Sequence, residues 1–86
     1  MPHLEDLESL DLTTNKISGS QLTYLRIYEK LNSLYLIENL IDSVNSFKVL
    51  KDLPELNSIS LNDNPVCEID NYRKKMFETL DIQVLD

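Results

Sequence analysis

Leu56-Asn57-Ser58-Ile59-Ser60-Leu61-Asn62-Asp63-Asn64-Pro65-Val66 decides how the rest of the chain is read. It has the form L-x-x-I-x-L-x-x-N-x-V, and two earlier stretches repeat it: Leu31-x-x-Leu34-x-Leu36-x-x-Asn39-x-Ile41 and Leu7-x-x-Leu10-x-Leu12-x-x-Asn15-x-Ile17. The offsets are 24 residues from Leu7 to Leu31 and 25 from Leu31 to Leu56. The pairs Leu10 and Leu12, Leu34 and Leu36, and Ile59 and Leu61 each put two side chains on one face of a short strand, while the residues between them point the other way. A strand this short cannot bury its apolar face alone, so each unit stacks on the next around a shared core. Asn15, Asn39 and Asn64 fall where the chain leaves the strand. An inward amide there bonds backbone groups of its own and the neighbouring turn, and losing it strands buried partners at about 1–3 kcal/mol. Ordinary turn asparagines explain one of the three, not three in register.

This period and pattern fit the leucine-rich repeat. The expected fold class is α/β: a leucine-rich repeat solenoid with a short parallel sheet on its concave face, short helices and turns on its convex face, and a C-terminal helical cap. One domain is expected over residues 1–86, with repeats near 4–27, 28–52 and 53–78 and a cap over 65–86. Between the strands, Ser20 is a plausible N-cap for a helix over 21–30 whose stripe is Tyr24, Leu25, Ile27, Tyr28 and Leu31. Ser46 is a plausible cap for a turn that faces Phe47 and Leu50 inward, and Pro54 stops it. A clearer helix is expected over 71–80 with Asp70 as N-cap; Ile69, Tyr72, Met76, Phe77 and Leu80 fall on its apolar face, Arg73, Lys74, Lys75 and Glu78 on the other. Ile82 and Leu85 follow Leu56 and Ile59 by 26 residues and read as a last, degenerate repeat.

Bulk properties exclude several classes. At 86 residues and 42% hydrophobic content the chain makes one small domain, and no apolar run approaches the roughly 18 residues of a membrane span. The first residues show neither a basic nor an apolar leader. Cys67 is the only cysteine, which favours a reducing compartment, and with His3 as the only histidine too few ligands remain for zinc. Cys67 is read as a small buried hydrophobe. The net charge of −7, from 15 acids and 8 bases, argues against direct nucleic-acid binding and favours a basic protein partner. No nucleophile–base pair and no glycine-rich phosphate loop can be assembled, so no enzyme, cofactor or metal is expected. The first repeat opens without a polar capping unit. Either the chain continues as a longer solenoid, or the edge at Leu4, Leu7, Leu10 and Leu12 is covered by a second copy in a homodimer.

What remains is a surface. The spacer residues of successive strands should line up as columns: Ser9, Ser33 and Ser58; Asp11, Tyr35 and Ser60; Thr13, Ile37 and Asn62. Of these, Asp11, Thr13, Tyr35, Ile37, Ser60 and Asn62 are the candidate partner-binding residues, with Tyr35 and Ile37 as bulky groups facing water. Thr14, Glu38 and Asp63 extend the rim, the last two as acids.

Asn15-Lys16-Ile17-Ser18-Gly19, the leucines and asparagines that follow at fixed spacing, and Asn71-Tyr72-Arg73 through Phe77 to Leu85-Asp86 resemble the acidic leucine-rich nuclear phosphoproteins. The resemblance covers the later repeats and the cap, in which Tyr72, Arg73 and Phe77 fall; Gln21 stands where a leucine is expected. It implies a curved, non-enzymatic, nuclear and cytoplasmic adaptor that binds and chaperones histones and inhibits protein phosphatase 2A. Pro65-Val66-Cys67 also looks like the cap of other intracellular repeat proteins, among them a spliceosomal subunit and a regulator of type-1 phosphatase.

Overall fold

The computed structural model describes residues 6–86. His3, Leu4 and Glu5, and with them the start of the first repeat and part of its proposed open edge, lie outside the described residues. Four strands follow one another across a single parallel sheet: β1 (Ser9–Asp11), β2 (Ser33–Tyr35), β3 (Ser58–Ser60) and β4 (Val84–Leu85). Their order is β1-β2-β3-β4, and the pairs Leu10↔Leu34, Leu34↔Ile59 and Ile59↔Leu85 put the repeat positions side by side. The ladder continues past the strands, with the N–H of Leu12 donating to the Tyr35 carbonyl (2.8 Å), Leu36 to Ser60 (2.9 Å) and Leu61 to Asp86 (2.7 Å). The degenerate last repeat is therefore a fourth strand in the same register.

Parallel strands need a long crossover, and here each crossover carries a 3-10 helical segment: Gly19–Ile27, Val44–Asp52 and Pro65–Glu68. A 3-10 turn holds three residues, so side chains three apart share a face. The sequence obeys that period. Leu22, Leu25, Tyr28 and Leu31 point inward from the first crossover, and Val44, Phe47, Leu50, Leu53 and Leu56 from the second. The carbonyls of Leu25, Leu50 and Val66 each accept from an N–H three residues on, at 3.0–3.1 Å. Phe47, with no exposed surface, fills the space between crossovers and sheet. The first two segments pack side by side, and this requires Gly19: a Cβ there would collide with both Oγ and Cβ of Ser46.

Three capping expectations are corrected. The first segment is capped at Ser18, not Ser20, because Gln21 reaches back so that its Oε1 accepts from the Ser18 N–H (2.9 Å). That bond gives Gln21 its reason for standing at a leucine position. The second segment is capped at Ser43, whose Oγ accepts from the Asn45 N–H (3.2 Å); Ser46 lies inside the segment against Gly19. The helix α1 (Tyr72–Thr79) begins after Asn71, held at φ 61°, not after Asp70. Its inner face is Met76 and Leu80, with Ile69 and Tyr72 half-buried.

The apolar stripes are corrected too. Tyr24 and Ile27 are 72% and 63% exposed, and Leu22, outside the expected stripe, is buried with Leu25 and Leu31. The expected stripe followed a 3.6-residue period where the backbone turns in three. Phe77 is 43% exposed; one residue past Met76, it is rotated off the inward face of α1.

Candidate functional site

The candidate site begins with the asparagines, because they fix the turns from which the rim projects. Asn39 Oδ1 accepts from the N–H groups of Asn15 (3.0 Å) and Ile17 (2.9 Å), while its Nδ2 donates to the carbonyls of Leu12 (3.0 Å) and Ile37 (3.2 Å). Asn64 does the same one repeat later: its Oδ1 accepts from the Ile41 N–H (3.1 Å), and its Nδ2 donates to Leu36 (2.7 Å) and Leu61 (2.9 Å). Each side chain thus ties its own turn to the turn before it. Asn15 is corrected: its side chain is exposed and, among the described residues, donates only within its own turn, at the Thr13 carbonyl (3.1 Å), since no earlier turn among them lies beside it.

The residue before each asparagine is bent into the left-handed region: Thr14 (φ 60°), Glu38 (φ 56°) and Asp63 (φ 66°). A side chain other than glycine costs about 1–2 kcal/mol there, and the amide bonds on either side hold it. The turn places Glu38 and Asp63 on the exposed edge below the strands. The acidic rim is therefore set by backbone geometry.

Above it stands the wall. The pairs Ser9↔Ser33↔Ser58 and Asp11↔Tyr35↔Ser60 form two columns on one face of the sheet. Tyr35 is 36% exposed, Ile37 and Thr13 are half-buried, and Asp11 and Asn62 are exposed. Thr13 holds the Asp11 carboxyl below the usual carboxylate range, first through its hydroxyl and then through its N–H at 3.0 Å. A depressed folded pKa means that this contact contributes above the ordinary 3.8 and is lost as pH falls through the lowered value. Asp11 is accordingly an anion on the wall at neutral pH.

Ser60 is corrected. It is 4% exposed, a small side chain on a strand flanked by β2 and β4, and it belongs to the floor of the wall. In its place the wall gains two residues that the candidate set lacks. Val84 pairs with Ser58 and is exposed on the same face, and Asp86 follows it by strand alternation. The signal was available, since the 26-residue offset of Ile82 and Leu85 from Leu56 and Ile59 already sets Val84 opposite Ser58.

The cap residues act as ties between elements. Arg73 Nη2 donates to the Leu85 carbonyl (2.6 Å) and so fastens α1 to β4. Burial, reinforced by its hydrogen bond with Cys67, pushes the Tyr72 hydroxyl above its ordinary value of 10.0. Cys67 is half-buried, and its thiol donates to the Leu61 carbonyl (3.0 Å).

The family described as leucine-rich repeat matches residues 1–86. The chain is similar to a protein of Tetrahymena thermophila named as a histone, with 42% identity over 76 residues, covering 88% of this chain and 20% of that protein. It is also similar to acidic leucine-rich nuclear phosphoprotein 32 family member A of Drosophila melanogaster, with 38% identity over 79 residues, covering 92% and 30% respectively. The chain spans about a fifth to a third of the length of the curated relatives it matches. Among solved structures, a chain from the structure of Chaetomium Mex67:Mtr2 subunits superposes with a TM-score of 0.79 at 22% identity, covering 96% of this chain and 55% of that one. That likeness speaks for the fold alone.

Proposed function

We propose, proceeding from the premise that this chain belongs to the leucine-rich repeat family, that its concave wall captures a basic protein partner, with a histone as the first candidate. The observation that carries this reading is the juxtaposition on one face of Tyr35 and Ile37 with an acidic surround. Asp11 shares the Tyr35 column, and Glu38 and Asp63 sit on the turns directly below. An aromatic and an aliphatic group at the centre supply a desolvated anchor, and the rim acids select for positive charge and speed encounter. Similarity to proteins named as acidic leucine-rich nuclear phosphoproteins, and to one named as a histone, supports the same partner class and a nuclear site of action. A phosphatase subunit is the competing occupant of the same wall.

The experiment is titration calorimetry with purified core histones and, separately, with phosphatase 2A catalytic subunit. The histone arm is expected to bind, and Tyr35→Ala combined with Ile37→Ala should weaken it about 30-fold (~2 kcal/mol) with the fold intact by circular dichroism. Glu38→Lys with Asp63→Lys should weaken it further and flatten its salt dependence. Histone binding that ignores both pairs of substitutions would remove the wall from the mechanism. Binding of the phosphatase alone would leave the wall and replace the partner.

A further inference from the structure

The second 3-10 segment packs against α1 on the side of the molecule away from the wall. Between them runs a groove of about 500 Å³ bordered by Val44, Lys48, Ile69, Lys75 and Glu78. Its floor is apolar, with Val44 8% exposed and Ile69 half-buried. Its sides carry two exposed lysines that arrive from different elements, Lys48 from the 3-10 segment and Lys75 from the helix. In a chain of 15 acids and 8 bases, cations find carboxylates easily. Arg26 pairs with Asp52 at 3.0 Å and Lys30 with Asp6 at 2.9 Å. Lys48 and Lys75 make no ion pair among the described residues, although Glu78 borders the same groove. Ser43 lines it as well; its Oγ already accepts from the Asn45 N–H, so its own proton is free for an incoming acceptor.

We infer that this groove docks a short acidic peptide segment, its aliphatic side chain resting on Val44 and Ile69 and its carboxylates reaching Lys48 and Lys75. The site goes beyond the wall reading: it lies on another face and has the opposite charge preference. Charge complementarity selects the occupant. Lys48 and Lys75 line one groove and attract carboxylates spaced along a peptide, whereas Glu78 beside them suits a continuous run of phosphates less well. Val44 and Ile69 suit an aliphatic side chain carried between the carboxylates, which a sugar–phosphate backbone does not offer.

Fluorescence anisotropy of a labelled short peptide alternating glutamate and leucine, titrated with the whole chain, tests this. Binding is expected that weakens with added salt and falls about tenfold in Lys48→Glu combined with Lys75→Glu. A polyglutamate peptide of equal length should bind more weakly. Amide shift mapping on the unsubstituted chain should move Val44, Lys48, Ile69 and Lys75 and leave Tyr35 still, which keeps the test independent of how the lysine variants fold. Equal binding of polyglutamate, tighter binding of an oligothymidylate, shifts confined to the wall, or no binding at all would each overturn the assignment.

Discussion

In the third repeat Ile59, Leu61, Asn64 and Val66 are all buried, whereas in the first Leu10, Leu12 and Ile17 are half-buried and Asn15 is exposed. The two motifs match in kind at every key position, aliphatic for aliphatic and asparagine for asparagine, so composition does not explain the difference. Neighbours do. β3 lies between β2 and β4, while β1 has a partner on one side only among the described residues. Solenoid stability is a sum of unit and interface contributions, and a repeat with one interface buries less with equivalent side chains. A repeat motif thus states what a residue is able to bury, and its place in the stack states how much of that is realised.

The sharpest way to break this comparison is truncation at matched aromatics. Phe47→Ala, in the twice-flanked middle crossover, should cost about 3–5 kcal/mol in urea unfolding, whereas Phe77→Ala at the exposed flank of α1 should stay within about 1 kcal/mol. Next comes the asparagine series. Asn64→Ala strands the Ile41 N–H and the Leu36 carbonyl in the interior, leaves the Leu61 carbonyl to the Cys67 thiol, and should cost about 3 kcal/mol; Asn39→Ala, whose partners are partly buried, about 2 kcal/mol. Asn15→Ala should cost about 0.5 kcal/mol. Equal losses at all three would mean that depth in the stack is irrelevant.

A third test concerns the contact between the first two crossovers. Gly19→Ala drives a methyl into Ser46 and should cost about 1–3 kcal/mol. Ser46→Gly should recover most of that loss in a double-mutant cycle, because it removes both clashing atoms. Additive effects would show the two segments to be energetically separate. The smallest expected effect is a gain: Glu38→Gly relieves the left-handed turn and should raise stability by about 0.5–1 kcal/mol, visible as a higher Tm.

The strands, their register and the bonds of Asn39 and Asn64 were legible in the sequence because they depend on strict repetition: Leu10, Leu34 and Ile59 announce one another. Asn15 carries the same motif without the inward bonds, because no earlier turn among the described residues lies beside it. The cap strand was legible by the same offset, and Val84 would have followed from it. The crossovers were misread for a definite physical reason. Leu22-x-x-Leu25-x-x-Tyr28-x-x-Leu31 has a period of three, the signature of a 3-10 turn, but a reading tuned to 3.6 residues draws Tyr24 and Ile27 into the stripe. The caps of the first two segments were displaced because two serines stand near each of those starts, Ser18 and Ser20, Ser43 and Ser46, and the reach of Gln21 and the close approach at Gly19 choose among them. Ser60 shows a further limit. Alternation gives the face of a residue, while its exposure depends on how closely the flanking strands approach.

The identical pairing on both sides of β2 has a consequence for how such a molecule is lengthened. Leu34 meets Leu10 on one side and Ile59 on the other in the same alignment, and Asn39 and Asn64 bond the preceding turn by the same atoms. Duplicating one unit between β2 and β3 would present the new strand and the new asparagine amide with ready counterparts. The grip of the molecule could then be widened by one rung at a time, without redesign of either end.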